Sequence, residues 1–133
     1  MEKTIIATED APAAVGPYSQ GTQAGNLIYT AGQLGIVPGT KEFAGPDIES
    51  QTRQALENLE AVLKAASSCL AHVVKTTVFL QDIEEFSQMN GVYAEFFLKD
   101  PPARSAVQVT ALPLGGRVEI EAVAMACDCD EGL

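Results

Sequence analysis

The chain has 133 residues, is 47% apolar by residue type and carries a formal net charge of −10. That length fits one domain able to bury roughly two-thirds of its unfolded surface, enough for a core without staples. The acidic balance and the lack of any basic run argue against nucleic acid or an anionic membrane face as partner, and no apolar stretch approaches a membrane span.

Thr4 to Ala7 reads as a short strand, and Ala11 to Gly16 as an Ala/Pro/Gly connector. Tyr18 to Gln23 and Leu27 to Leu34 read as a hairpin turning at Gly25-Asn26. Val37 to Gly45, rich in glycine and proline, is a loop. Asp47 to Ala66 is the clearest helix: Ile48, Ala55, Leu56, Leu59, Val62, Leu63 and Ala66 make one apolar face, with Glu49, Arg53, Glu57, Glu60 and Lys64 opposite. Val73 to Leu80, dense in β-branched and aromatic residues, predicts a buried strand. Asp82 is placed to cap a second helix, Ile83 to Leu98, whose apolar face is Phe86, Met89, Tyr93, Phe96 and Phe97. Pro101-Pro102 forbids its continuation. Ser105 to Ala111 and Val118 to Ala126 read as strands joined by Pro113-Leu114-Gly115-Gly116.

Two amphipathic helices over one face of a mixed sheet make an α+β domain spanning residues 1–133. Val107 and Val109 alternate with Ala106, Gln108 and Thr110, so neither face of that strand is strongly charged. The uncovered sheet face is therefore expected to bury itself against another subunit.

The chemistry-bearing residues are few. Arg104 is one of only three arginines and follows the two prolines, so its entry is rigid. A fixed guanidinium receives a small carboxylate through two parallel hydrogen bonds, although a strand-capping salt bridge is an equally good reading. Glu119 and Glu121 alternate along a strand and so share a face. Either can orient or deprotonate a water, and alternation alone does not choose. Tyr18 follows Gly16-Pro17 and reads as a packed aromatic, while Asn90 sits mid-helix, where asparagine is unfavoured. Gly32 permits close approach of a ligand to backbone.

His72 is the only histidine and reads as structural or simply solvated. Cys69, Cys127 and Cys129, odd in number and without framework spacing, point to a reducing, cytoplasmic setting, and Met1-Glu2-Lys3 opens no apolar signal region. Cys127-Asp128-Cys129-Asp130 reads as a thiol-bearing tail rather than a metal site, which would want four ligands. With no phosphate-cradling loop, nucleophile elbow or Schiff-base lysine context, cofactor-free chemistry without a metal is the expectation.

Four stretches, in order along the chain, resemble the RidA (YjgF) family: Gly16-Pro17-Tyr18-Ser19-Gln20; Tyr29-Thr30-Ala31-Gly32-Gln33; Asn90 to Phe97; and Pro102-Ala103-Arg104-Ser105 with Leu112-Pro113 and Val118-Glu119-Ile120-Glu121-Ala122. The resemblance implies a chorismate-mutase-like fold and a homotrimer whose sheets pack into a central barrel, with sites in clefts between subunits. It implies that Arg104 binds the substrate carboxylate, Glu119 positions the attacking water and Tyr18 lines the cleft. It further implies that Asn90 and the main-chain groups around Gly32 and Ala106 contact the ligand. This chain has Ala31 and Ala106 where the family often has serine and cysteine, which puts side-chain roles there in doubt. The activity implied is hydrolysis of short 2-imino acids to 2-keto acids and ammonia. The alternatives are a ribonuclease or translation inhibitor, a label some members carry, and a non-catalytic carboxylate-binding or chaperone trimer.

Overall fold

The computed structural model describes residues 2–126. The tail Cys127-Asp128-Cys129-Asp130 lies outside the described residues. The strands are β1 (Lys3–Ile6), β2 (Gly21–Ala24), β3 (Leu27–Thr30), β4 (Gln33–Leu34), β5 (Val73–Leu80), β6 (Ala103–Gln108) and β7 (Val118–Met125). The helices are α1 (Ile48–Ala65) and α2 (Phe86–Phe96). One sheet runs β1-β2-β3-β7-β5-β6, with β4 also on β7. Every pairing is antiparallel except β5 with β6. That pair is parallel because α2 forms the crossover between them.

Alternation along β7 sets the two faces. Val118, Ile120, Ala122 and Ala124 are buried, while Glu119, Glu121, Val123 and Met125 point the other way. The buried set packs with Ile28, Val78, Leu80 and the α1 residues Leu56, Leu59, Val62 and Leu63. Asp47 caps α1, its carboxylate accepting from the Ser50 N–H at 2.9 Å. The fully buried Asn58 amide on α1 donates to the Leu34 and Ile36 carbonyls and so holds the exit from β4. Both helices lie on this side. The opposite face is open among the described residues and carries Ile5, Leu27, Tyr29, Val107 and Met125, all exposed.

Several boundaries differ from expectation, each for a local reason. β2 begins at Gly21 rather than Tyr18, because Gln20 turns its side chain into the preceding connector. There it accepts from the Thr8 N–H and donates to the Thr8, Ala11 and Pro12 carbonyls. The run from Leu27 to Leu34 breaks at Ala31-Gly32. Tyr29 pairs with Val123 and Gln33 with Ile120, so Thr30, Ala31 and Gly32 stand opposite only Glu121 and Ala122. This is a bulge, and the Thr30 hydroxyl accepts the Ala122 N–H in place of a ladder bond. Asp82 caps a short 3₁₀ turn, Ile83–Glu85, and the α-helix proper starts only at Phe86. β6 ends at Gln108, short of the expected Ala111.

Candidate active site

Arg104 is the second residue of β6, and its side chain crosses the helix-covered face toward α2. Nη1 donates to Asn90 Oδ1 at 2.7 Å. The guanidinium carbon lies 4.7 Å from the Tyr93 ring centroid and 5.2 Å from that of Phe86, both within cation–π range. Phe86, Asn90 and Tyr93 are spaced i, i+4, i+7 and form one stripe of α2. The Tyr93 hydroxyl shares a 2.8 Å hydrogen bond with the fully buried Thr76 Oγ1. Burial pushes the Tyr93 phenol above its ordinary range, against the opposing influence of Thr76 and Arg104.

The three arginines differ in what they face. Arg117 grips Glu85 through both Nε and Nη2, and Arg53 pairs with Glu95 through both terminal nitrogens. Among the described residues no carboxylate lies within salt-bridge distance of Arg104. Among the described residues the strand-capping ion pair is not formed. Its positive charge is half-buried, oriented and, among the described residues, without a counter-ion. Two residues on, the main chain adds a donor. The Val109 N–H goes to the Leu80 carbonyl, so alternation turns the Ala106 N–H outward, on the free edge of the sheet. The Ala106 methyl packs against the core.

Glu119 belongs to a different place. It lies on the open sheet face and is half-buried, and the β-bulge lays Gly32 directly over it. A Cβ at Gly32 would lie 2.8 Å from Glu119 Cδ, so glycine lets the carboxylate occupy this position and any other residue would push it aside. Burial pushes the Glu119 carboxyl above the usual glutamate range, and the like charge of Glu121 adds to the effect. Glu121 itself is exposed. Ala31 donates its N–H to the Gln20 carbonyl at 2.8 Å, so that amide is already committed. The same bond draws the Tyr18 loop toward the bulge. Tyr18 is 52% exposed and borders an apolar hollow of about 510 Å³ that also takes in Ile5, Ile6, Ala13 and Ala14.

The residues singled out in the sequence thus fall into two groups. Arg104, Asn90 and Ala106 gather between β6 and α2, whereas Gly32, Glu119 and the Tyr18 loop gather around the bulge. β5–β6 and β5–β7 registers place Arg104 beside Thr76 and Glu119 beside Phe79. Thr76 is buried under the helices and Phe79 is on the other side, so the two groups occupy opposite faces. Sequence reasoning took Phe86 and Tyr93 as core residues only, although their spacing around Asn90 was a usable signal. Among the described residues no three His, Cys, Asp or Glu side chains stand together as metal ligands would, and no helix is long and apolar enough to cross a membrane.

The family described as Endoribonuclease L-PSP matches residues 8–126, and the chain belongs to it. A RutC family protein of Pyrococcus horikoshii is 51% identical over 122 residues, covering 92% of this chain and 97% of that one. The 2-iminobutanoate/2-iminopropanoate deaminase of Bos taurus is 48% identical over 125 residues, covering 94% and 91%. The crystal structure of E. coli TdcF with bound serine superposes with a TM-score of 0.89 at 40% identity, covering 93% of this chain and 99% of that one.

Proposed function

We propose that this protein hydrolyses short 2-imino acids, such as 2-iminopropanoate, to 2-keto acids and ammonia, in sites completed by a second copy of the chain. The observation that carries this reading is the oriented guanidinium of Arg104, which has no carboxylate partner among the described residues. A small carboxylate supplies that partner, with the Ala106 N–H as a further donor. The bovine relative's name and the serine bound to TdcF both fit a small amino-acid-like ligand.

The two groups of residues become one site when the Arg104 face of one copy meets the Glu119 face of the next. A homotrimer with its open sheet faces turned inward accounts for the exposed Tyr29, Val107 and Met125. In the joined site Arg104 holds the carboxylate and the imine carbon faces a water at Glu119. Glu119 accepts a proton from the water as its oxygen bonds to the C=N carbon, and passes that proton to the imine nitrogen. In the resulting carbinolamine the hydroxyl proton moves by way of Glu119 to the amine nitrogen as the C–N bond breaks, releasing ammonia and the 2-keto acid. Tyr18, brought toward the bulge by the Gln20–Ala31 bond, helps to hold the water. Positioning and one acid–base group supply roughly 10²–10⁴-fold. No cofactor is required for this chemistry.

The test is hydrolysis of 2-iminopropanoate, generated in place by an amino-acid oxidase and trapped by semicarbazide. Wild type should suppress trapping and Arg104→Ala should not. Equal trapping with and without wild-type protein would sink the reading. The family description names an endoribonuclease, but a net charge of −10 works against RNA binding.

A further inference from the structure

We infer that Phe86, Tyr93 and Thr76 are positioning residues that decide which edge of the Arg104 guanidinium meets a ligand, and so restrict the site to planar monoanions such as small carboxylates. This rests on reading Arg104 as a carboxylate clamp.

Phe86 and Tyr93 stand two helical turns apart, a rise of about 10.5 Å. The guanidinium carbon lies within cation–π range of both rings, so two aromatic side chains of one helix flank it. Asn90, on the intervening turn, accepts a hydrogen bond from Nη1. Among the described residues, Nε, Nη2 and the second Nη1 hydrogen are left as in-plane donors. A carboxylate presents two oxygens in that same plane and is satisfied by such an edge. A phosphate dianion brings further charged oxygens, for which the Phe86 and Tyr93 rings provide no hydrogen-bond donor.

The Tyr93 ring is itself held at both ends. Its hydroxyl is bonded to Thr76 at 2.8 Å, and its ring lies 4.6 Å from that of Phe97. Thr76 pairs in register with Arg104 on the neighbouring strand. The arginine, the ring beneath it and the anchor of that ring thus form a closed circuit across β5, β6 and α2. A free arginine side chain samples many rotamers. Holding it before a ligand arrives lowers the cost of binding.

The experiment titrates pyruvate and, separately, inorganic phosphate into wild type, Phe86→Leu, Tyr93→Phe and Phe86→Tyr. In parallel, ¹⁵N spectra follow exchange among the Arg104 Nη protons, and turnover of 2-iminopropanoate is measured. Phe86→Leu should raise the pyruvate Kd roughly 3- to 30-fold, narrow the preference for pyruvate over phosphate and speed rotation of the guanidinium. Tyr93→Phe, which removes only a hydroxyl, should act in the same direction by a smaller factor, and Phe86→Tyr should restore binding. In turnover the change should appear in KM with kcat retained, a split that general loosening of the core would not produce.

Unchanged pyruvate affinity and guanidinium rotation in Phe86→Leu and Tyr93→Phe would overturn the inference, as would a wild type that binds neither anion. If Phe86→Leu does not fold, Tyr93→Phe decides alone. Weakened pyruvate binding in the variants, with no imine turnover by wild type, would leave the positioning role standing and remove the deaminase reading instead.

Discussion

The two faces of the sheet are built on different terms. Beneath the helices, Arg104 is surrounded by neutral groups that orient it without discharging it. On the open face, Glu119 has lost part of its hydration under Gly32 and sits beside a like charge. On the proposed reading, one half keeps a cation ready for an anion, and the other keeps a carboxylate ready for a proton. Placed side by side in one chain they would pair and cancel, so their separation by the thickness of the sheet preserves both.

Breaking either half should have the largest effect. Arg104→Ala and Glu119→Gln should each lower kcat/KM for 2-iminopropanoate by roughly 10²–10⁴-fold. Glu119→Gln should still bind pyruvate, which separates a catalyst from a mere carboxylate-binding module. Co-refolding these two inactive variants is the sharper test. If each site draws its arginine and its glutamate from different copies of a cyclic trimer, random mixing should restore about a quarter of wild-type activity. No recovery would mean that both residues act within one chain. Gly32→Ala should come next, because its methyl must displace the Glu119 carboxylate or shift the bulge. A fall in kcat with pyruvate binding retained is the expected signature.

The pH profile probes the open face. In the proposed mechanism Glu119 must be ionised to accept a proton, and burial holds its pKa above the usual glutamate value. The acid limb of kcat/KM should therefore sit above that value, with activity rising as pH rises through it. Glu121→Gln removes the neighbouring charge and should move the limb to lower pH. The linked stability runs the other way. A carboxyl raised on folding favours the folded state at low pH, and that contribution is lost as pH climbs from the ordinary glutamate value through the raised one.

The smallest effect on activity belongs to the paired arginines. Arg117→Ala loses the two-pronged grip on Glu85, in part exposed to solvent, and should cost about 1 kcal/mol of stability with kcat/KM unchanged. A thermal melt alongside the imine assay would show whether Arg117 and Arg104 divide stability and function in this way.

Much of this was legible in the residues. The α1 stripe and the alternation of β7 follow from helix and strand periodicity, and the α+β arrangement with them. The bulge was not legible, because its existence depends on how β3 and β4 register against β7, and periodicity within a segment carries no inter-strand register. For the same reason Glu119 and Glu121 looked equivalent until Gly32 fell over one of them. Phe86 and Tyr93 read as core because apolar spacing does not distinguish a ring that touches other rings from one that touches a cation. The parallel register of β5 and β6, which sets Thr76 beside Arg104, was equally invisible.

The opposite placement of Arg104 and Glu119 has a consequence for inheritance. Each copy would lend its arginine to one neighbour and its glutamate to the other, so a copy defective in both would silence the sites on both its flanks. Such a variant should be dominant when made together with the intact protein. Variants damaged on only one face, in contrast, could compensate for one another within a mixed assembly.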